Sequence, residues 1–371
     1  MPHEYDRYVR DFRNAEIAHK IAARLAARGT ERPVRLMEVC GTHTVAIWKH
    51  GIRQVLPDGI TLLSGPGCPV CVTTNADIDK AIALAKRPDV ILTTFGDMLK
   101  VPGSYSSLQR ARAEGANVRV VYSTLDALRV AQSNPSRSVV FFAVGFETTA
   151  PTIAASVVEA ERQGLDNFYI ISVHKLIPPA MKALLDSGET RIDGFICPGH
   201  VSSIIGAQAY EFITTEYGIP CVVSGFEPLD ILQSIDMLLG QVADGSARVQ
   251  IEYSRAVRPE GNKIALELLY RVFEIADAEW RGLGSLPGSG LRLRPEYQRY
   301  DAERRFDVDP GPMRDHPGCR CGEVLRGVMT PDECRLFGRV CTPEQPVGPC
   351  MVSSEGTCST WYQFGGTNGA R

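Results

Sequence analysis

Eight short apolar runs, separated by stretches with helical periodicity, constrain this chain more than any other feature. They are Val34–Val39, Ile60–Leu63, Val90–Thr94 and Val118–Tyr122, then, after a polar break at Gln132–Ser138, Val139–Val144, Phe168–Val173, Gly194–Cys197 and Cys221–Val223. Runs that are apolar on both faces suit strands covered by helices on both sides, so the pattern is that of βαβ units and parallel sheets. The fold class is α/β. Two sets of four strands predict two tandem parallel-sheet (Rossmann-like) domains, residues 33–131 and 132–253, with a single eight-stranded barrel as the alternative. Residues 1–32 read as a helical lead-in, with Ile17, Ile21 and Leu25 spaced along one face. Beyond Ser254 a helix is predicted over Asn262–Trp280, followed by a Gly/Pro/Arg-rich stretch with little periodicity. Residues 254–371 end in a cysteine-rich tail with few apolar runs. This third, mostly helical or irregular domain is predicted to fold around a metal and to pack with the amino-terminal helix.

The cysteines say what kind of metal chemistry is in question. Of eleven, five are scattered before Ser224, whereas six fall between Cys319 and Cys358. The net charge of −3 gives no footprint for nucleic acid or an anionic membrane. Met1–Arg24 lacks the apolar centre of a signal peptide, and no run is long enough to cross a bilayer. A cytoplasmic location is therefore expected, where thiols serve as metal ligands or redox groups more than as structural disulfides.

Reactive residues follow the runs. Gly65-Pro66-Gly67-Cys68-Pro69-Val70-Cys71 closes the second, and its two thiols can act as a thioredoxin-type dithiol, half of a zinc site, or part of a transition-metal assembly site. Its glycines allow close approach of the backbone to a ligand, and its prolines stiffen the turn. Cys40-Gly41-Thr42-His43-Thr44 closes the first, offering either a Cys/His nucleophile pair or two metal ligands. His200, in Cys197–Ser202, reads as an acid/base, a ligand or a capping residue of a helix at Ile204–Phe212. Glu147, after Gly145, reads as cleft lining or part of a helix cap. Cys197 and Cys221 lie in or beside apolar runs and read as core thiols. Open α/β sheets bind ligands at the carboxyl ends of their strands, so these loops are predicted to face a shared cleft. In the tail, the spacing Cys319-x-Cys321, Cys334, Cys341, Cys350, Cys358 leaves an iron–sulfur cluster, a structural zinc or disulfides open. No P-loop, GxGxxG after the first strand, or GxSxG occurs, which leaves nucleotide use without a motif.

Together these segments resemble the HypD family of [NiFe]-hydrogenase maturation proteins over almost the whole chain. The resemblance rests on Cys40–Thr44, Gly65–Cys71, Thr94-Phe95-Gly96-Asp97, Gly145–Thr149, Pro198–Ser202, Gly225-Phe226-Glu227-Pro228 and Met351–Gly356. It implies two α/β domains and a third, iron–sulfur domain formed by both termini and carrying a [4Fe–4S] cluster. It also implies a cofactor-assembly scaffold on which iron acquires two cyanides and one carbon monoxide, as Fe(CN)2CO. The partners it implies are a small HypC-type chaperone that shares the iron and a HypE-type cyanide donor. The family's iron-site thiol matches Cys40, while His43, Cys68 and Cys71 match other motif positions around the iron. Cys321, Cys334, Cys341 and Cys358 match the cluster ligands. Cys319 and Cys350 are then a surplus pair, similar to the redox disulfide beside the cluster in ferredoxin:thioredoxin reductase. Electrons would run from cluster to Cys319/Cys350, to Cys68/Cys71, to iron. Thr74 departs from the family, where a proline is expected. The rival reading is a stand-alone iron–sulfur thiol–disulfide oxidoreductase; a zinc-stabilised scaffold without redox chemistry is a third.

Overall fold

The computed structural model describes residues 11–28 and 32–365. Each of the eight apolar runs forms a strand: β1 (Val34–Glu38), β2 (Ile60–Ser64), β3 (Val90–Thr94), β4 (Val118–Val120), β5 (Ser138–Ala143), β6 (Phe168–Ser172), β7 (Gly194–Pro198) and β8 (Cys221–Ser224). A ninth, β9 (Val249–Ile251), is short and only half buried, which is why no apolar run announces it. All nine pair in parallel, in two open sheets of order β2-β1-β7-β8-β9 and β4-β3-β5-β6. They do not close into the eight-stranded barrel. Among the described residues no helix is long and apolar enough to cross a membrane.

The strands are shared out differently from the tandem division at residue 132. The chain leaves the first sheet after β2, builds all of the second from β3 to β6, and returns to place β7 beside β1. The proposed boundary falls inside the second sheet, between β4 and β5. Burial on both faces identifies a strand but does not choose its neighbour. That choice rests on cross-strand fit: Gly194 takes its place opposite Leu36, where an added Cβ would meet Leu36 at 3.0 Å and Leu238 at 3.2 Å.

The helix Ala15–Arg28 begins where Asn14 Oδ1 accepts the Glu16 and Ile17 backbone N–H groups. Its buried residues Ile21 and Leu25 join Leu232, Ile235 and Leu239 of the helix Pro228–Ala243, and Arg24 pairs with Asp236 at 2.7 Å. The lead-in therefore packs on the first sheet rather than on the cysteine-rich tail as expected. The rest of that expectation, residues 1–10 and 29–31, lies outside the described residues.

The helix expected over Asn262–Trp280 stops at Val272. β10 (Phe273–Trp280) then pairs antiparallel with β11 (Gly284–Leu293), inside the stretch expected to be irregular. Phe273 and Trp280, seven residues apart, mimic one helical face. A register irregularity between Ala276 and Ala278 lets both be buried from a strand. The tail consists of short helical turns and the helix Thr357–Phe364, which lies against Gly41–Lys49 with Trp361 edge-on to Trp48.

Candidate functional site

In the first sheet the connections leave β1 and β7 in opposite directions, so the crevice between their carboxyl ends is the topological switch point. Cys40 follows β1, and Pro198-Gly199-His200 ends β7. Cys40 is the N-cap of the helix Gly41–Lys49, and its N–H donates to Glu38 Oε2 at 2.9 Å while Thr44 Oγ1 donates to Glu38 Oε1 at 2.5 Å. Burial outweighs those contacts and raises the Glu38 pKa to about 7. Burial, with the Glu355 and Glu38 carboxylates, pushes the Cys40 thiol up to about 12, against the backbone N–H groups of His43 and Thr42. Such a thiol keeps its proton until a cation displaces it.

The Gly65–Cys71 loop is locked onto Cys40. Gly65 N–H donates to Glu38 O at 2.7 Å, and Gly41 N–H donates to Gly67 O at 3.0 Å. A Cβ on Gly67 would stand 2.1 Å from Cys40 N, so glycine is required there by the neighbouring loop. Cys68 caps the single turn Pro69–Val72, its Sγ accepting the Cys71 N–H at 3.3 Å, and both cysteines are buried. Thr74 raises no difficulty: it caps the helix Asn75–Ala85, its Oγ1 accepting the Asp77 N–H at 3.2 Å.

His43 is buried, its Nε2 bonding Gly225 O at 2.9 Å, and burial lowers its pKa to about 4, so the ring is neutral. With Nε2 as the donor, Nδ1 carries the lone pair, and it is buried without a partner among the described residues. His43 and His200 both stack on Phe226, at 4.7 and 3.9 Å between centroids. His200 is exposed and belongs to the helix Gly199–Ile205, which starts five residues before the expected Ile204. Glu147 is elsewhere. It follows β5 in the second sheet, where Oε1 accepts the Ile177 N–H at 2.9 Å and Oε2 is buried without a partner, and burial raises its pKa to about 7. Thr149 stands at the N-cap of Ala150–Arg162 without a capping bond. Cys197 and Cys221 are buried in β7 and β8, in the core as expected.

The tail comes to these loops through residues 349–356. Cys350 lies within hydrogen-bond contact of Cys71, and also of Cys321 and Cys358. Ser353 Oγ donates to Asp97 at 3.3 Å, which ties in the loop after β3. Thr42 Oγ1 donates to Glu355 Oε1 at 2.6 Å, and Gly41 has room only for hydrogen beside the Glu355 backbone. Five tail thiols, Cys319, Cys321, Cys334, Cys341 and Cys358, line one cavity with Leu336, Phe337, Val347 and Met351. Cys319 Sγ and Cys321 Sγ are 3.3 Å apart, so these two cannot both bind separate corners of one cluster as they stand. Thiols around an apolar cavity are the donor type an iron–sulfur cluster takes. They ring the cavity rather than converge: among the described residues no three His, Cys, Asp or Glu side chains are gathered for a single ion.

The family model for HypD, hydrogenase formation, matches residues 14–365. The chain belongs to the HypD family. Hydrogenase maturation factor HypD2 of Bradyrhizobium diazoefficiens is 50% identical over 368 residues, covering 97% of each chain. HypD of Azotobacter vinelandii is 49% identical over 367 residues, again with 97% of each covered. HypD of Escherichia coli is 46% identical over 365 residues, 96% of this chain and 98% of that one. Two carboxylates of this HypD-family site escaped the sequence reading. Glu38 was visible as an acid inside an apolar run directly before Cys40, and Glu355 as the acid of the Ser353–Gly356 motif.

Proposed function

We propose that this chain is a scaffold for assembling the Fe(CN)2CO group of [NiFe] hydrogenases, with iron as its cargo. Cys40 would hold the iron together with a HypC-type chaperone, Cys68 and Cys71 would stand beside it as thiol ligands or reductants, and a HypE-type protein would deliver cyanide. The observation that carries the reading is the convergence at the β1/β7 switch point. There Glu38 and Gly41, on either side of Cys40, share backbone hydrogen bonds with Gly65 and Gly67 of the Cys68 loop, and Cys71 touches Cys350 of the tail. Soft thiolates suit an iron carrying cyanide and carbon monoxide. The neutral imidazole of His43 keeps a lone pair at Nδ1 that is free to accept a hydrogen bond at the site.

The thiol contacts favour one change to the ligand set expected from the resemblance. Cys350 meets Cys321 and Cys358, which also meet each other, and Cys321 is the more crowded because Cys319 stands 3.3 Å from it as well. Pairing Cys321 with Cys350 leaves Cys319, Cys334, Cys341 and Cys358 to hold a [4Fe–4S] cluster, which would supply single electrons. In the exchange step, a Cys350 thiolate attacks Sγ of Cys71 in a Cys68–Cys71 disulfide and releases the Cys68 thiolate. Cys321 then closes on Cys350. Two electrons pass, and Cys68 and Cys71 end as thiols. The same chain of thiols would serve the rival, a stand-alone oxidoreductase, but that reading leaves the Cys40 loop without a task. Complementation separates them. In a host lacking its own member of the family, the wild-type chain should restore [NiFe]-hydrogenase activity and Cys40→Ala should not; equal restoration by both would sink the scaffold.

A further inference from the structure

A second polar site lies on the outer side of the first sheet, along its edge strand β2. Here a cavity of about 260 Å³ is lined by Arg35, Arg53, Ser64, Thr357 and Trp361. Arg53 is largely buried, its guanidinium held 5.1 Å from the Trp48 ring and 5.7 Å from the Trp361 ring. It forms no hydrogen bond or ion pair among the described residues, and its Nε is buried without a partner. Ser64 is buried beside it, its hydroxyl within hydrogen-bond reach of the Glu38 carboxylate. Arg35, on β1 opposite Thr61, has no ion pair for its side chain among the described residues. The one acid lining the cavity, Glu333, is already engaged by Thr330, accepting its N–H at 2.6 Å and its Oγ–H at 3.0 Å.

Buried arginines are ordinarily paired, and planar guanidinium forks match oxyanions. Two guanidinium groups without a hydrogen bond or ion pair among the described residues, one of them largely buried, face one small cavity as donors without a bonded acceptor. We propose that this cavity binds a small oxyanion, of carboxylate to phosphate size, between Arg53 and Arg35. A cavity of this volume is the size of a small anion rather than of a nucleotide. The anion would lie within electrostatic reach of Glu38, on whose pKa Arg53 already acts, and so of the Cys40 loop.

Trp48 and Trp361, two of the three tryptophans, flank Arg53 and report on the site directly. The full-length protein would be titrated with inorganic phosphate, and separately with acetate, at constant ionic strength set by chloride. A saturable change in tryptophan emission is expected with one of them, with a Kd on the order of 1 mM. Arg53→Gln should abolish it. Arg35→Gln, at a half-exposed position that leaves the Trp48–Arg53–Trp361 stack in place, should weaken it about tenfold. A response matched by chloride, or one unchanged in Arg35→Gln, would overturn the proposal, as would no response to either anion.

Discussion

The most instructive single residues are those whose environment opposes their charge. Glu147 has a folded pKa of about 7 because burial disfavours its carboxylate. The folded protein therefore holds this proton more tightly than the unfolded chain does. Its contribution to stability is complete below about pH 4.5, declines as pH rises, and is lost above about pH 7, a change of about 3 kcal/mol. Glu147→Gln keeps an acceptor for Ile177 N–H without the charge, so its Tm relative to wild type should rise between pH 5 and pH 8. A flat difference would mean that Glu147 does not carry its burial cost as charge. Gly67 is a steric case: Gly67→Ala places a carbon 2.1 Å from Cys40 N, and several kcal/mol of destabilisation is expected by thermal unfolding. The places of Cys40, Cys68, Cys71, His43 and His200 just after the ends of parallel strands were legible from the apolar runs that precede them. Glu38 was not, because an acid in a strand-like run is identified as a partner only when its acceptors are seen to meet Cys40 N–H and Thr44.

Among the elements, the hairpin β10–β11 supports the Cys68 loop from behind. Arg281 N–H donates to Val72 O at 2.9 Å, and its guanidinium donates to Thr73 O at 3.0 Å and Asn75 Oδ1 at 2.5 Å. Arg281→Ala leaves the Thr73 carbonyl and the Asn75 amide oxygen without these donors. It should destabilise the protein by about 2–3 kcal/mol, and faster amide exchange across residues 68–75 would locate the damage. Exchange unchanged there would assign Arg281 to packing alone. This support could not be read in advance, because Phe273 and Trp280 are spaced like a helical face and the bulge that reconciles them with a strand leaves no mark in composition. The parallel strands were legible for the opposite reason: burial on both faces gives unbroken apolar runs, and seven of the eight reach their expected first residue.

At the scale of the whole molecule, the chain threads out of the first sheet and back, so that loops far apart in sequence meet at one switch point. No local pattern reveals that return, since it depends on β7 choosing β1 as neighbour. The tail then closes the arrangement by putting Cys350 against Cys71 and Glu355 against Thr42. If Cys350 links the tail to the dithiol, Cys350→Ala should retain the visible absorbance of a cluster-bearing protein while the Cys68/Cys71 pair no longer equilibrates with it in a redox titration followed by thiol alkylation. Loss of the absorbance itself would instead make Cys350 a cluster ligand. The central claim is that iron bearing diatomic ligands is held at Cys40. Infrared spectroscopy of the anaerobically purified protein, co-expressed with the HypC-type chaperone proposed as its partner, tests it most directly. Cyanide and carbon monoxide stretching bands are expected in the wild type and should be absent from an intact Cys40→Ala complex. Bands that persist unchanged in the variant, or an intact wild-type complex without any, would contradict the assignment.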